Sequence, residues 1–445
     1  MNLALVKSET MKPTTGEMAS DVFIAARDRL PGKGPVADVR QAAFDDFVQK
    51  GLPHRRVEEW KYTDLRVLLR EVAPLAAAPD QTALDRANTT LASLDVNGAH
   101  RLVLIDGAFV PQLSDTASET GVTVQTLRAM LENADIAARA DLLRTSVASD
   151  AMISLNAAMA TDGVVIDVAE NAAPGKPIHI VHVSTQSKTA AFTRSLVKVA
   201  NGARVTLIES FVAADGAAGY QAHDSVVLWA GDGTDVQHIR LVEDARDAAN
   251  IATAIVTLGE RTQYRAFNLT SGGAVCRYQA FVRFGGQNTH ADVNGVSLLN
   301  GRQHADNTLV LDHAVPHCTS NEVFRAVVDD QAHSVFQGRI NVHPDAQKTD
   351  ARMMTRALLL SDEAEADNKP ELEIFADDVQ CGHGATTGAL DDSLLFYLRA
   401  RGLAEKEAQA LLIQAFVGEA MESIADEALR DVAIATAERW LAARG

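Results

Sequence analysis

Cysteine is scarce in this chain. Three occur in 445 residues, Cys276, Cys318 and Cys381. They are too widely spread for a disulfide frame, so a reducing compartment is expected, the cytoplasm by default. Long apolar runs are missing as well. No uncharged stretch is long enough to cross a bilayer, and Leu3-Ala4-Leu5-Val6, cut off by Lys7, is too short for a signal-peptide core. Positive charge is in deficit: 41 Lys and Arg face 59 Asp and Glu, a formal net charge of -18. Such a chain repels a phosphate backbone, which argues against nucleic acid as a partner. Catalytic signatures are absent too. A Walker A loop needs a glycine five positions before its Gly-Lys, and at Gly32-Lys33 and Gly175-Lys176 that position is Arg27 and Glu170. No Gly-x-Ser-x-Gly elbow or His-Glu-x-x-His helix occurs, and the carboxylates show no pair spacing that speaks for acid–base chemistry.

What is present is a globular composition, 47% hydrophobic and 22% charged, in a chain long enough for about two or three domains. From about Ser20 to Ala140 apolar residues recur at helical intervals, as in Val39 to Val48. Arg101 to Val110 interrupts this with two β-prone runs around Asp106-Gly107, a hairpin signal. From about Thr161 to Val379 the pattern changes to short β-prone segments separated by Gly, Asn and Asp: Gly163 to Val168, Ile178 to Val183, Ala203 to Ser210, Ser225 to Ala230, Thr253 to Leu258, Arg283 to Phe284, Ser297 to Leu299, Thr308 to Leu311, Glu322 to Val328 and Val335 to Val342. A sandwich usually closes within about a hundred residues, so an uninterrupted run of this length predicts a solenoid. After Leu390 the helical period returns, with Leu411, Leu412, Ala415 and Phe416 on one face, and Leu429, Val432, Thr436 and Trp440 on a second helix. Those two helices cannot bury both faces on each other, so they either pack on the end of the solenoid or dock a partner. The expected division is 1–150 mostly helical, 151–388 β core and 389–445 helical.

Chemistry concentrates late in the chain. Alternating residues from Leu372 lead into Cys381-Gly382-His383-Gly384, and a strand of period two places the Cys381 thiol and the His383 imidazole on one face. Thiolate with imidazole suits iron or zinc, but two ligands do not complete a site. A buried cysteine beside a satisfied turn histidine is the plainer reading of the same pair. Seven histidines, His290, His304, His313, His317, His333, His343 and His383, fall in the last part of the β region, and Asp312 to Cys318 holds two imidazoles and a thiol in one loop, a potential metal or sulfur site. Arg55 to Asp64 reads as a solvated helix end with Trp60 tucked inward.

Several segments together carry a resemblance: Gly51-Leu52-Pro53, Glu59-Trp60-Lys61-Tyr62-Thr63, Phe336-Gln337-Gly338-Arg339-Ile340, Ala346-Gln347-Lys348-Thr349-Asp350, Leu358 to Ser361, Pro370 to Ile374, Cys381 to Thr386 and Phe396 to Gly402. With them the chain resembles, over nearly all its length, the SufB/SufD family of the SUF iron-sulfur cluster assembly system, with the marks of its SufD branch. Gly382 departs from the serine frequent there. The resemblance implies a right-handed parallel β-helix core between helical N- and C-terminal domains, and a scaffold rather than a catalyst. It implies pairing with a SufB-like paralogue through the β-helix ends and binding of a SufC-like ATPase by the C-terminal domain, at Phe396, Arg399, Arg401, Gly402, Phe416 and Glu419. It implies a nascent Fe-S cluster shared with SufB, with His383 as ligand, Cys381 beside it, and no cluster stably held by the chain alone. Homodimerisation of the isolated chain is left open. The rival is a β-helix polysaccharide lyase or hydrolase, which would need a carboxylate-lined groove where the scaffold needs a flat end presenting His383.

Overall fold

The structure, a computed structural model, describes residues 15–94, 96–115, 119–133, 140–144 and 150–444; the run Leu3 to Val6 lies outside them. From Val164 onward consecutive strands alternate between two sheets. Ile178–Ser184, Arg204–Ala213, Asp235–Glu243, Gln263–Thr270, His290–Leu299, Thr319–Val328, Asp350–Leu359 and Gln380–Gly388 stack in a ten-stranded sheet. Val164–Val168, Ala190–Val199, Gln221–Ala230, Ala249–Leu258, Val275–Phe284, His304–His313, His333–Val342 and Glu365–Ile374 stack in a nine-stranded one. Each strand runs parallel to its stacked neighbours, so the core is a parallel β-solenoid of about eight turns. Alternate residues point inward, and the lumen is lined by Ile180, Leu207, Leu228, Val256, Val282, Leu311 and Ile340, all buried. Each such side chain contributes roughly 1.5–3 kcal/mol of transfer free energy.

The strands are longer than the apolar runs that announced them. Five carry no clear apolar signal: Ala190–Val199, Asp235–Glu243, Gln263–Thr270, Asp350–Leu359 and Glu365–Ile374. In the first three of them polar residues fill inward or helix-facing positions, and Arg194, His238, Arg240 and Asn268 are all buried.

The first third of the chain wraps the nine-stranded sheet. Helices Pro35–Lys50 and Ala151–Met159 pack their apolar faces there, and the expected hairpin forms, with Leu104 opposite Phe109. Its first strand, His100–Ile105, also joins the ten-stranded sheet parallel to Ile178–Ser184, while Val122–Thr126 closes the other sheet antiparallel to Val164–Val168. These strands cap the N-terminal end. The segment Arg55 to Asp64 carries the expected helical turn, with 55–59 exposed and Trp60 turned inward, and its residues Glu59 to Thr63 also form a clasp. Trp60 is buried and donates from Nε1 to Asp150 Oδ2 at 2.6 Å. The guanidinium of Arg277, itself fully buried, lies 3.8 Å from the Trp60 ring centroid and donates to the Glu59 carbonyl at 2.6 Å.

At the other end of the chain, Glu405–Met421 and Glu427–Ala443 cover the flank of the solenoid rather than its end. Ile413, Val417, Met421, Leu429 and Trp440 pack on Ile239, Leu241, Phe267, Leu269, Val296 and Leu298 of the ten-stranded sheet. The expected face is rotated, because this row of sheet side chains claims the stripe Ala408, Ile413, Val417, Ala420 and Met421, leaving Leu411 46% exposed. The short helix Asp392–Ala400 before them buries none of its residues.

Candidate functional site

The last coil ends open. Gln380–Gly388 is paired only with Asp350–Leu359, and Glu365–Ile374 only with His333–Val342, so both present a free backbone edge. The alternation around Leu372 belongs to the earlier of these strands. The chain then turns at 375–379 and crosses to the other sheet before Cys381. Cys381 lies opposite Ala351 and His383 opposite Met353, both buried lumen residues, so thiol and imidazole share the inward face as the period of two required. Cys381 is half-buried against the core and His383 is exposed. Burial pushes the Cys381 thiol up from its ordinary value, against a smaller opposing effect of a hydrogen bond with the Ala351 backbone. Gly382 has open space at its Cβ position, so a serine would fit there without rearrangement.

A cavity of about 550 Å³ opens at this end, with Asn321, Arg352, Met353, Met354, Cys381 and His383 in its wall and no carboxylate among its described lining residues. Ile374 and Phe375, on the same last coil, are 40% and 67% exposed. A free sheet edge beside exposed large apolar side chains is the composition of an interface. Beneath the site lies a group that spacing alone does not reveal. Glu322 stacks under Met353, which stacks under His383, and its two carboxylate oxygens are buried without hydrogen-bond partners. Burial raises its pKa well above the ordinary value, and Asp292 adds to the rise. The sequence signal is the alternation Ser320-x-Glu322-x-Phe324, three inward positions in a row.

The other histidines do not converge. His313 is buried, stacked on Phe284 and 3.2 Å from Ser320 Oγ; His317 sits in a left-handed turn, and the Cys318 thiol donates to the Gly286 carbonyl. Among the described residues the loop Asp312 to Cys318 therefore forms no metal site: His313 and Cys318 are both buried, but each is engaged by its own neighbour, and His317 stands apart in the turn. His290, His333 and His343 pair with Asp292, Asp367 and Asp312, and His304 with Thr63. Of the C-terminal candidates, Phe396, Arg399, Arg401 and Gly402 lie on or just after the exposed short helix, Phe396 being 75% exposed. Phe416 and Glu419 instead face the sheet, the ring 5.4 Å from the Arg325 guanidinium and the carboxylate paired with Arg325.

A second cavity, of about 540 Å³, lies between the Trp60 clasp and the nine-stranded sheet and does hold carboxylates. Two of them are engaged, Asp150 by Trp60 and Asp312 by His343 at 2.6 Å.

Among known proteins, residues 182–416 match the family described as SUF system FeS cluster assembly, SufBD core domain, and residues 31–180 match the SufBD protein N-terminal region. The iron-sulfur cluster assembly protein SufD of Escherichia coli K12 is 31% identical over 400 residues, 89% of this chain and 90% of its own. A SufBD family protein of Synechocystis is 33% identical over 397 residues, 86% of each chain. SufD of Bacillus subtilis is 23% identical over 399 residues, 86% of this chain and 88% of its own. No described helix is long and apolar enough to cross a membrane. With a solenoid between helical ends, and both parts of one family matched along most of its length, the chain belongs to the SufBD family of iron-sulfur cluster assembly proteins.

Proposed function

We propose that this chain is a scaffold subunit of the SUF assembly machinery in the cytoplasm, pairing through the open end of its solenoid with a SufB-like paralogue and binding a SufC-like ATPase through its C-terminal region. The carrying observation is Cys381 and His383 side by side on a coil whose edge has no partner. The nascent cluster is cargo held between the two chains. Two ligands from one side leave room for two from the other, which matches the four-fold coordination of iron and zinc thiolate sites. The Cys381 thiol, raised by burial, gives up its proton as metal arrives. ATP on the partner supplies the energy that opens or closes the shared end, by biasing a two-state arrangement of the pair. The absence of a carboxylate from the cavity wall speaks against the lyase or hydrolase reading of this end.

Replacing His383 with Ala removes an exposed side chain and should cost the fold no more than about 0.5 kcal/mol. Cluster assembly by the reconstituted complex should fall by at least the roughly 10–100-fold that loss of a mere outer-shell partner costs a metal site. Cys381→Ser should do less if the thiol lies outside the first coordination sphere. The chain purified alone should be colourless. Wild-type assembly rates in His383→Ala remove that residue from the mechanism, and failure of the variant to pair makes it a structural contact.

For the ATPase, truncation after Gly402 is not a clean test, because it strips the cover from Phe267, Leu269 and Val296. The exposed helix is the better target. Phe396→Asp should weaken ATPase capture by roughly 30-fold or more, as loss of an interface anchor does, with the melting curve unchanged. Undiminished capture, measured by surface plasmon resonance, would move the docking site elsewhere.

A further inference from the structure

Far from the open end, the lumen holds a second group of donor atoms. His182 on Ile178–Ser184, Glu209 on Arg204–Ala213 and Asp224 on Gln221–Ala230 each continue an inward alternation: Ile178-x-Ile180-x-His182, Val205-x-Leu207-x-Glu209, and Asp224-x-Val226-x-Leu228. The first two strands are neighbours, with Glu209 opposite Ile180, and the third faces them across the lumen. Their ligand atoms all lie within 4.8 Å of one another, the single such group of His, Cys, Asp or Glu among the described residues. All three side chains are buried, Glu209 at 1% and Asp224 at 4% exposure.

One of the atoms that meet here has no partner. His182 Nε2 is buried without a hydrogen bond, which costs about 1–3 kcal/mol, while the Glu209 and Asp224 carboxyls face each other closely enough to share a proton. The His182 nitrogen stands 4.0 Å from Asp224 Oδ1, too far for a hydrogen bond. It is close to the separation of roughly 3.3 Å that two ligands take around one tetrahedral ion with bonds near 2.0–2.1 Å. The remaining atoms of the group are held from behind. Glu209 Oε2 lies 2.6 Å from His238 Nε2, whose Nδ1 faces the Tyr264 hydroxyl at 3.1 Å. Asp224 Oδ1 accepts from Thr193 Oγ1 at 2.6 Å, and the His182 ring is stacked on Phe211 at 4.3 Å. Outer partners of this kind fix ligand orientation in metal centres. Arg240, the nearby cation, lies 4.4 Å from the Phe211 ring centroid and directs two of its donors to Asn250 and Asn268.

We infer that His182, Glu209 and Asp224 form a buried site for a divalent first-row transition metal, Fe²⁺, Mn²⁺ or Zn²⁺. One imidazole and two carboxylates, with no thiolate, suit these ions and disfavour soft Cu⁺. Six strand spacings separate the Glu209 strand from the Gln380–Gly388 strand, roughly 29 Å at about 4.8 Å each, so the site is independent of Cys381 and His383 and of the function proposed for them.

The full chain, made without a histidine tag in medium supplemented with Zn²⁺ or Fe²⁺ and purified anaerobically without chelator, should retain about one equivalent of metal by mass spectrometry. Glu209→Gln and Asp224→Asn should each lower retention at least tenfold, whereas Cys381→Ser with His383→Ala should leave it unchanged. Co²⁺ loaded in the same way should give visible d–d bands without sulfur-to-cobalt charge transfer. Should the carboxylate variants fail to fold, the cobalt spectrum of the wild-type chain decides alone. Metal retained equally by folded carboxylate variants, a thiolate signature, or a wild-type chain with no bound ion overturns the assignment.

Discussion

Between pH 5 and pH 3.5 each of three buried histidines should withdraw roughly 2 kcal/mol of folding stability. Burial holds His179, His223 and His313 down to about 3. A histidine lowered by folding takes up its proton in the unfolded chain first. Its contribution is therefore whole above the unfolded value near 6.5 and drains away as pH falls toward 3, by roughly 2 kcal/mol for each residue between pH 5 and pH 3.5. Glu322, Asp162 and Asp244 work in the opposite direction, because burial raises their carboxyls. They penalise the fold at pH 7, and that penalty is relieved as pH falls toward the unfolded values near 4. The two sets oppose each other down to about pH 4, below which the carboxyls have little left to give and the histidines continue. Urea titrations at pH 7, 5 and 3.5 measure this directly, and His223→Gln should flatten the acid limb by roughly 2 kcal/mol. An acid limb indifferent to His223 would show that this ring is not held neutral.

Asp306→Ala should destabilise the fold by about 3–5 kcal/mol, the cost of leaving a buried charge without its partner. Arg277 and Asp306 are both fully buried and ion-paired. Asp306 also accepts from Thr63 and, at 3.0 Å, from Thr308. One substitution therefore unmakes the joint between the Glu59 to Thr63 clasp and the solenoid wall, and Trp60 loses the cation stacked on its ring. The double change Arg277→Met with Asp306→Leu should recover most of the loss, since the desolvated charges leave together. Chemical denaturation of the three proteins tests it; a single variant within about 0.5 kcal/mol of wild type, as surface changes are, would sink the argument.

The clasp marks how far sequence reasoning reached. Trp60 reads as an inward aromatic because it is large and apolar, but its partner Arg277 comes more than two hundred positions later, and no local pattern joins them. The helix around Val39 to Val48, the Asp106-Gly107 hairpin and the common face of Cys381 and His383 were legible, since each depends on spacing within one element. The solenoid was legible as an architecture, while half of several strands was not. In Gln221–Ala230 the apolar run Val226 to Leu228 announces a strand, but Gln221, His223 and Asp224 do not, being buried polar residues, Gln221 turned toward the Glu71 backbone and Asp224 toward the lumen. His182, Glu209 and Asp224 escape for a related reason. Each is an ordinary polar residue two steps from an inward apolar one, and only the stacking of coils brings them together. The second C-terminal helix was read with its true stripe, Leu429, Thr436 and Trp440 being buried, but the first was read with the wrong one, because Leu411 is as apolar as Ile413 and only the sheet decides which is covered.

The open last coil also sets the order in which the molecule comes apart. In a solenoid each turn leans on its predecessor, so local opening is cheapest at a terminal turn and dearest in the middle. The N-terminal end is closed by Val122–Thr126 and the hairpin strand; the C-terminal end has no such lid. Amide hydrogens of Gln380–Gly388 should therefore exchange first among those of the solenoid strands, and Cys381 and His383 ride on that fraying turn. Their alignment is a loan from whatever zips onto the edge, and protection against exchange in this strand reports its arrival before any metal does.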